Sequence, residues 1–204
     1  MQDSPAPLVF FALGNPGARY ARTRHNFGWM ALEALASRWR LRLARSAGAW
    51  DEARGEIAGA EVTLVQPLTY MNRCGQAAAA LLAQRGLTPE HLVALYDDLD
   101  IPFGSLRLRK QGGAAGHRGM ESLIEALQTE KFPRLRLGLG GIEHGGETAD
   151  FVLEEFSASE WPVARRMIER AADAMEGIAA GGFEAAMNQF NVPAAPEGGP
   201  GEHP

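Results

Sequence analysis

Leu8-Val-Phe-Phe-Ala-Leu13, closed by Gly14-Asn15-Pro16-Gly17, decides the fold. Six apolar residues with no polar alternation read as a strand buried on both faces. Gly-Asn-Pro-Gly reads as a tight loop at its carboxyl end. A strand of that kind needs cover above and below it, and the rest of the chain supplies helices. Residues 28–42 place Trp29, Leu32, Leu35, Ala36 and Trp39 at helical spacing, with arginines on the outer face. Cys74–Arg85 is rich in Ala and Leu and stops at Gly86. Met120–Gln128 forms a shorter helix, and Ser159 stands where it would cap a last one ending near Ala180.

Further strands alternate with these helices. Glu61–Gln66 is β-rich and is expected to pair with a strand near 50–58. Leu92–Tyr96 is a second buried strand that delivers Asp97-Asp98-Leu99-Asp100 at its carboxyl end. In Ser105–Lys110, Leu106 and Leu108 face one way while Arg107 and Arg109 face the other, and Arg134–Gly140 repeats the alternation. No repeat or linker interrupts 8–190. The pattern predicts one α/β domain over 8–190, a three-layer sandwich with a mixed central sheet flanked by helices. Residues 193–204 are rich in Pro, Gly and Glu and read as a disordered tail.

Composition is that of an ordinary globular protein, with 46% hydrophobic and 22% charged residues among 204. Cys74 stands alone, which excludes an intrachain disulfide and suits a reducing compartment. The apolar runs are too short to span a membrane, and Met1-Gln-Asp-Ser-Pro lacks a basic leader. A cytoplasmic location without membrane association is expected. The net charge of −5 hides a segregation. Residues 17–45 carry seven Arg and one Glu, and 104–136 carry seven Lys or Arg and three Glu, whereas 137–204 carry three Arg and twelve acids. Two basic blocks can form one positive face if the fold joins them, or serve as ordinary solvated surface.

Several familiar site patterns fail. Gly14-Asn-Pro-Gly17 lacks the G-x-G-x-x-G spacing of a dinucleotide site, and Gln111–Gly119 lacks the Gly-Lys-Ser/Thr of a nucleotide-triphosphate loop. The five histidines form no His-x-x-x-His pair, there is no Gly-x-Ser-x-Gly elbow, and a lone Cys in an Ala-rich helix reads as packing. What remains are polar groups on loops at strand ends: Asn15 with Tyr20 and His25, Tyr70 with Asn72, and Asp97 with His117 and Arg118. An imidazole, a carboxylate and amides are what activation of water against an ester requires. Taken singly, each has a plainer reading: a loop cap for His25, a turn cap for Asp97, a helix N-cap for Asn72.

Their combination is more specific. Leu13-Gly-Asn-Pro-Gly-Ala-Arg-Tyr-Ala-Arg-Thr-Arg-His-Asn-Phe-Gly28 resembles the opening signature of the bacterial peptidyl-tRNA hydrolase family. Pro67–Gly75 resembles its second block, Tyr96–Gly104 with Gly112–Gly119 its third, and Phe132–Gly140 the strand that follows. Order and spacing hold over 8–190. The resemblance implies hydrolysis of the ester between a peptide, or an N-blocked aminoacyl group, and the 3′-terminal ribose of tRNA. It implies no metal, no organic cofactor and no obligate protein partner. It makes His25 the catalytic histidine, Asp97 its carboxylate and Asn15 the amide that favours blocked over free aminoacyl groups. Asp98 competes for the carboxylate role, but Leu99-Asp100-Ile-Pro puts Asp97 in register. Tyr70, Asn72 and Tyr20 fall at positions that bind the substrate end, and Arg107 and Arg109 match a basic pair associated with the tRNA 5′-phosphate. A solubilising edge strand is the plainer reading of that pair.

This chain departs from the family at Gly116-His-Arg-Gly119, where Arg118 replaces the usual Asn among the substrate contacts. Arginine keeps donors, loses the acceptor and adds a fixed charge. Gln66 stands where Lys is common, and Cys74 where Ser is common. Two rivals follow: a non-catalytic RNA-binding relative of the same fold, and a small-molecule esterase using the same histidine, which the basic blocks disfavour.

Overall fold

The computed structural model describes residues 7–142 and 145–192. The opening apolar run becomes β1 (Leu8–Ala12), paired in parallel with β4 (Ala60–Pro67) on one side and β5 (Leu92–Pro102) on the other. Being central, it is buried on both faces. Val9, Phe11 and Leu13 enter one core, and Phe10 and Ala12 enter the other. Each wholly buried Phe contributes about 2–3 kcal/mol by apolar burial.

β3 (Trp50–Ile57) pairs antiparallel with β4, and the short β2 (Ala44–Arg45) with β3. On the far side β7 (Arg134–Gly140) runs parallel to β5, and β6 (Leu106–Arg109) closes the edge antiparallel to β7. The order is β2-β3-β4-β1-β5-β7-β6, a mixed sheet as expected. Helices α1 (Phe27–Arg38) and α5 (Trp161–Phe190) cover one face, α2 (Cys74–Arg85) and α3 (Arg118–Leu127) the other, which makes the three layers. The four-residue α4 (Thr148–Phe151) lies between β7 and α5. Among the described residues no helix is long and apolar enough to cross a membrane. The tail expected at 193–204 lies outside the described residues.

Two close approaches set the geometry of the site. A Cβ on Gly28 would stand 2.4 Å from the Leu95 carbonyl oxygen, so α1 begins directly over the ends of β1 and β5. A Cβ on Gly75 would stand 1.9 Å from the Ser122 carbonyl, so α2 and α3 touch backbone to backbone.

Three sequence expectations need correction. The strand beginning at Leu92 does not stop at Tyr96: β5 continues to Pro102 because β7 pairs with it through Asp98 and again at Pro102. Asp97 and Asp98 are therefore strand residues rather than loop residues. Ser159 caps nothing; the Ser157 hydroxyl accepts the Glu160 N–H at the head of α5. That helix is interrupted near the expected end, at Gly182 with φ 82°, and then resumes to Phe190.

Candidate active site

The carboxyl ends of β1, β4 and β5 bring the three polar clusters together. His25 sits in a single 3₁₀ turn, Arg24–Asn26, between the loop after β1 and α1. Its Nδ1 lies 3.0 Å from both carboxylate oxygens of Asp97. The carboxylate accepts, so Nδ1 carries the proton and Nε2 keeps its lone pair. No protein group among the described residues bonds that Nε2.

His117 approaches the same carboxylate from the other side, Nε2 to Oδ1 at 3.2 Å. It is the N-cap of α3, and its Nδ1 accepts the backbone N–H groups of Gly119 and Met120 at 3.1 and 3.2 Å. The neutral ring therefore has its proton on Nε2, where it is donated to Asp97. The donor atoms of His25, Asp97 and His117 fall within 4.8 Å of one another, close enough to suggest a cation site. A metal at His117 Nε2 would need that lone pair, and freeing it would cost the helix cap. The arrangement fits a doubly hydrogen-bonded carboxylate better than a metal centre.

Electrostatics follow from these contacts. Burial acts to lower the His25 pKa, but the charge and hydrogen bond of Asp97 outweigh it and hold it above the ordinary value, with Arg118 pulling it back in part. Burial acts to raise Asp97, yet the two histidines hold its carboxyl far below the usual range. Asp98 is elsewhere engaged: it accepts from Arg136 Nε at 2.7 Å and from the Asp100 N–H. The competition between the two carboxylates is thus resolved by geometry.

Asn15 links the clusters. Its N–H donates to Asn26 Oδ1 at 2.8 Å, and Asn26 Nδ2 donates to the Asn15 carbonyl at 3.0 Å. Its own side-chain Oδ1 accepts the Met71 N–H at 2.9 Å. One amide therefore joins the His25 turn to the turn bearing Tyr70 and Asn72, and leaves Nδ2 to donate. Asn72 is not an N-cap; it is exposed and α2 has no side-chain cap. Tyr70 is 55% exposed, with its ring open to a planar ligand. Tyr20 is half-buried, and its ring and hydroxyl are engaged by Arg19, whose guanidinium lies 4.4 Å from the ring centre. Arg118, the first residue of α3, is exposed and has no ion pair among the described residues.

Arg107 and Arg109 are not in this crevice. They lie exposed on β6, two strands from β5, about 10 Å by ordinary strand spacing. Opposite them in register, Arg136 is half-buried and Arg134 fully buried, so one sheet face carries four arginines there. The other basic block is partly neutralised, with Arg22 and Arg45 also paired, to Glu155 and Asp51. Arg24 meets Glu154 and Glu160, and Arg38 meets Glu169, Asp173 and Glu176. Cys74 is buried with its thiol pushed up to about 12, which suits packing and not nucleophilic attack.

The sequence groups His117 with Asp97 and Arg118 but gives it no role, and it singles out neither Asn26 nor Met71. The His-Arg-Gly start of α3 was a legible capping signal. The other two act through backbone or second-neighbour contacts that no local pattern announces.

Comparison with known proteins places the fold in a family. A family model described as peptidyl-tRNA hydrolase matches residues 9–197. The peptidyl-tRNA hydrolase of Chloroflexus aggregans is 46% identical over 184 residues, covering 90% of this chain and 98% of that protein. That of a Synechococcus strain is 44% identical over 192 residues, covering 93% and 84%. The crystal structure of peptidyl-tRNA hydrolase from Acinetobacter baumannii superposes with a TM-score of 0.85 at 32% identity, covering 94% of this chain and 98% of the other. On these grounds the chain belongs to the peptidyl-tRNA hydrolase family.

Proposed function

We propose that this chain hydrolyses the ester joining a peptide, or an N-blocked aminoacyl group, to the 3′-terminal ribose of tRNA, in the cytoplasm where translation releases such molecules. The observation that carries the reading is the orientation of His25: Nδ1 is committed to Asp97 and Nε2 is left as a base. Water bonded to Nε2 gives up a proton as its oxygen attacks the ester carbonyl. The imidazolium is stabilised by Asp97 and then returns the proton to the departing ribose oxygen. The products are a carboxylic acid and tRNA with a free 3′-terminal hydroxyl group. No cofactor enters the sequence.

Asn15 supplies the matching donor. With its Oδ1 held by Met71, its Nδ2 can donate to the carbonyl oxygen that gains charge. A free α-ammonium group placed near that donor would lose hydration with no acceptor to pair with, which favours blocked substrates. Tyr70 offers a face for the terminal base and Asn72 a free amide; Tyr20 can contribute only where Arg19 yields. Arg118 serves as a donor to substrate at the rim. Arg107 and Arg109 are the site for a 5′-phosphate, for which two adjacent guanidinium forks are suited. The non-catalytic RNA-binding alternative gains no support from the intact His25–Asp97 pair.

The test is release of N-acetylated amino acid from tRNA, measured by filter binding. His25→Ala is expected to lose about 10²–10⁴-fold in kcat while still binding tRNA. Cleavage at the wild-type rate by that variant would reject the reading.

A further inference from the structure

His25 is held by little local structure. Its turn is one 3₁₀ turn, and the backbone of His25 and of the two residues before it is bonded to a segment far away in sequence. The His25 N–H donates to the Val152 carbonyl at 2.8 Å, the Arg24 N–H to the Glu154 carbonyl at 3.0 Å, and Thr23 bridges Glu155. Residues 145–156, which form this strap, contain only the four-residue α4, and most of them are exposed. Something must fix the strap if it is to fix the histidine.

We propose that Arg24 is a positioning residue for the reaction: its guanidinium fastens the 151–160 segment to the turn that carries His25, and so holds the imidazole on Asp97. This rests on the reading of His25 as the base. Arg24 is buried. Its Nη2 donates to Glu160 at 2.7 Å and its Nη1 to the Phe151 carbonyl at 3.3 Å, with the Glu154 carboxylate at 3.4 Å. The guanidinium lies 4.3 Å from the ring centre of Phe151 and 5.5 Å from that of Phe156. Phe156 in turn packs on Phe27, the residue after the His25 turn, at 4.9 Å. Glu160 accepts the Ser157 N–H at 2.6 Å at the head of α5.

A buried cation with one close carboxylate and two ring faces is specific to arginine's planar fork. Lysine keeps the charge and has three donors, but it has no planar face to lie on a ring and no fixed fork to hold two acceptors in one plane. The residue next to His25 in the chain is thus the anchor of the strap that bonds His25 through space. A cavity of about 270 Å³ is lined by Arg24 itself together with Glu147, Asp150 and Glu154; three carboxylates against one guanidinium make it unsuited to phosphate, so a structural part fits Arg24 better than tRNA contact.

The experiment uses the whole chain carrying Arg24→Lys or Glu160→Gln, each also in a His25→Ala background, with N-acetyl-aminoacyl-tRNA as substrate. Arg24→Lys is expected to lower kcat about 10–100-fold with KM within about twofold, as small misplacements of reacting groups do. The acid-side inflection of its rate profile is expected to move down toward the ordinary 6.5, since a displaced ring loses part of its hold on Asp97. His117 and Arg118, which also face the ring, stay unchanged in these variants. Glu160→Gln is expected to do the same to a smaller degree. Neither change is expected to cost anything further once His25 is alanine. Unchanged kcat and inflection in folded Arg24→Lys, a rise in KM alone, or an equal loss in the His25→Ala background overturns the proposal. If Arg24→Lys does not fold, Glu160→Gln decides by the same readouts. Full turnover by His25→Ala alone removes the base reading and this proposal with it; loss of turnover there with none in the Arg24 and Glu160 variants removes only this one.

Discussion

The crevice around His25 and the edge strand β6 hold their polar groups in opposite ways. In the crevice the side chains of Asp97, His117 and Asn15 are each fixed by at least one buried partner. Asp97 is gripped by two imidazoles, His117 by a helix terminus, and Asn15 by two separate turns. On β6, Arg107 and Arg109 have buried leucines behind them and, among the described residues, no ion pair in front. The first region suits chemistry, where a fraction of an ångström matters. The second suits a diffuse polyanion, for which charge and reach suffice. Changes in the crevice should therefore act on kcat, and changes on β6 on affinity.

Asp97→Asn is the hardest test of that division. The amide keeps the size of the side chain but offers His25 Nδ1 and His117 Nε2 only one acceptor oxygen, and it cannot balance an imidazolium. We expect kcat to fall about 10²–10⁴-fold with tRNA affinity nearly unchanged, measured by single-turnover release and by tRNA competition. A fall in affinity of the same size would erase the contrast.

The pH dependence sharpens the same point. The His25 pKa is raised in the folded chain, so its contribution to stability is full below 6.5 and is lost as pH rises through the folded value. The Asp97 pKa is lowered, so its contribution is present above 3.8 and is lost only as pH falls through the much lower folded value. Urea denaturation should therefore show the wild type losing stability as pH rises above 6.5, and Asp97→Asn losing less. Activity runs the other way, rising as the base loses its proton. Parallel stability curves for the two proteins would break the link between the pair and the fold.

The two regions were also unequally legible in the sequence. The alternation in Ser105–Lys110 specifies which arginines reach solvent, because a strand's faces alternate by geometry alone. The buried run Leu8–Leu13 and the helix ending at Gly86 are equally local signals. The crevice needed long-range contacts. Asp-Asp-Leu-Asp reads as a turn until β7 supplies hydrogen bonds that keep Leu92–Pro102 extended. Arg134 reads as one more outward residue of an alternating strand, yet it is buried against Phe132 and the carbonyls of Gly113 and Glu130. The basic look of residues 17–45 is offset in part by acids more than 120 positions away, at Arg22, Arg24 and Arg38. What the sequence could show of the site came from matching motifs, and the bonds that orient His25 and Asn15 came only with the fold.

On β6 the expected effect is smaller. Replacing Arg107 and Arg109 together by Ala should weaken tRNA binding about tenfold at low salt and leave kcat within about twofold. The difference should shrink as salt rises, because fewer counterions are released on binding. Each phosphate contact removed should reduce the slope of log affinity against log salt by about 0.7–0.9. An unchanged slope would make the pair plain solubilising residues and leave Arg136 and its neighbours to account for any phosphate contact.

Arg118 lies between the two regimes and gives the finest test. It is exposed like the β6 arginines, yet its field reaches His25 and lowers the pKa of the ring against the pull of Asp97. Arg118→Asn removes the charge and puts a neutral amide in its place. The inflection of the rate profile should then rise by a fraction of a unit, since exposed charges act through solvent and salt. At a pH just above the wild-type inflection the variant holds more of its histidine protonated, so kcat should fall slightly there and match at high pH. Added salt should bring the two profiles together. A variant several-fold faster at every pH would mean that the arginine hinders the substrate by shape, and that position 118 belongs with the rigid crevice. A loss confined to KM and flattened by salt would place it with the phosphate-binding surface instead.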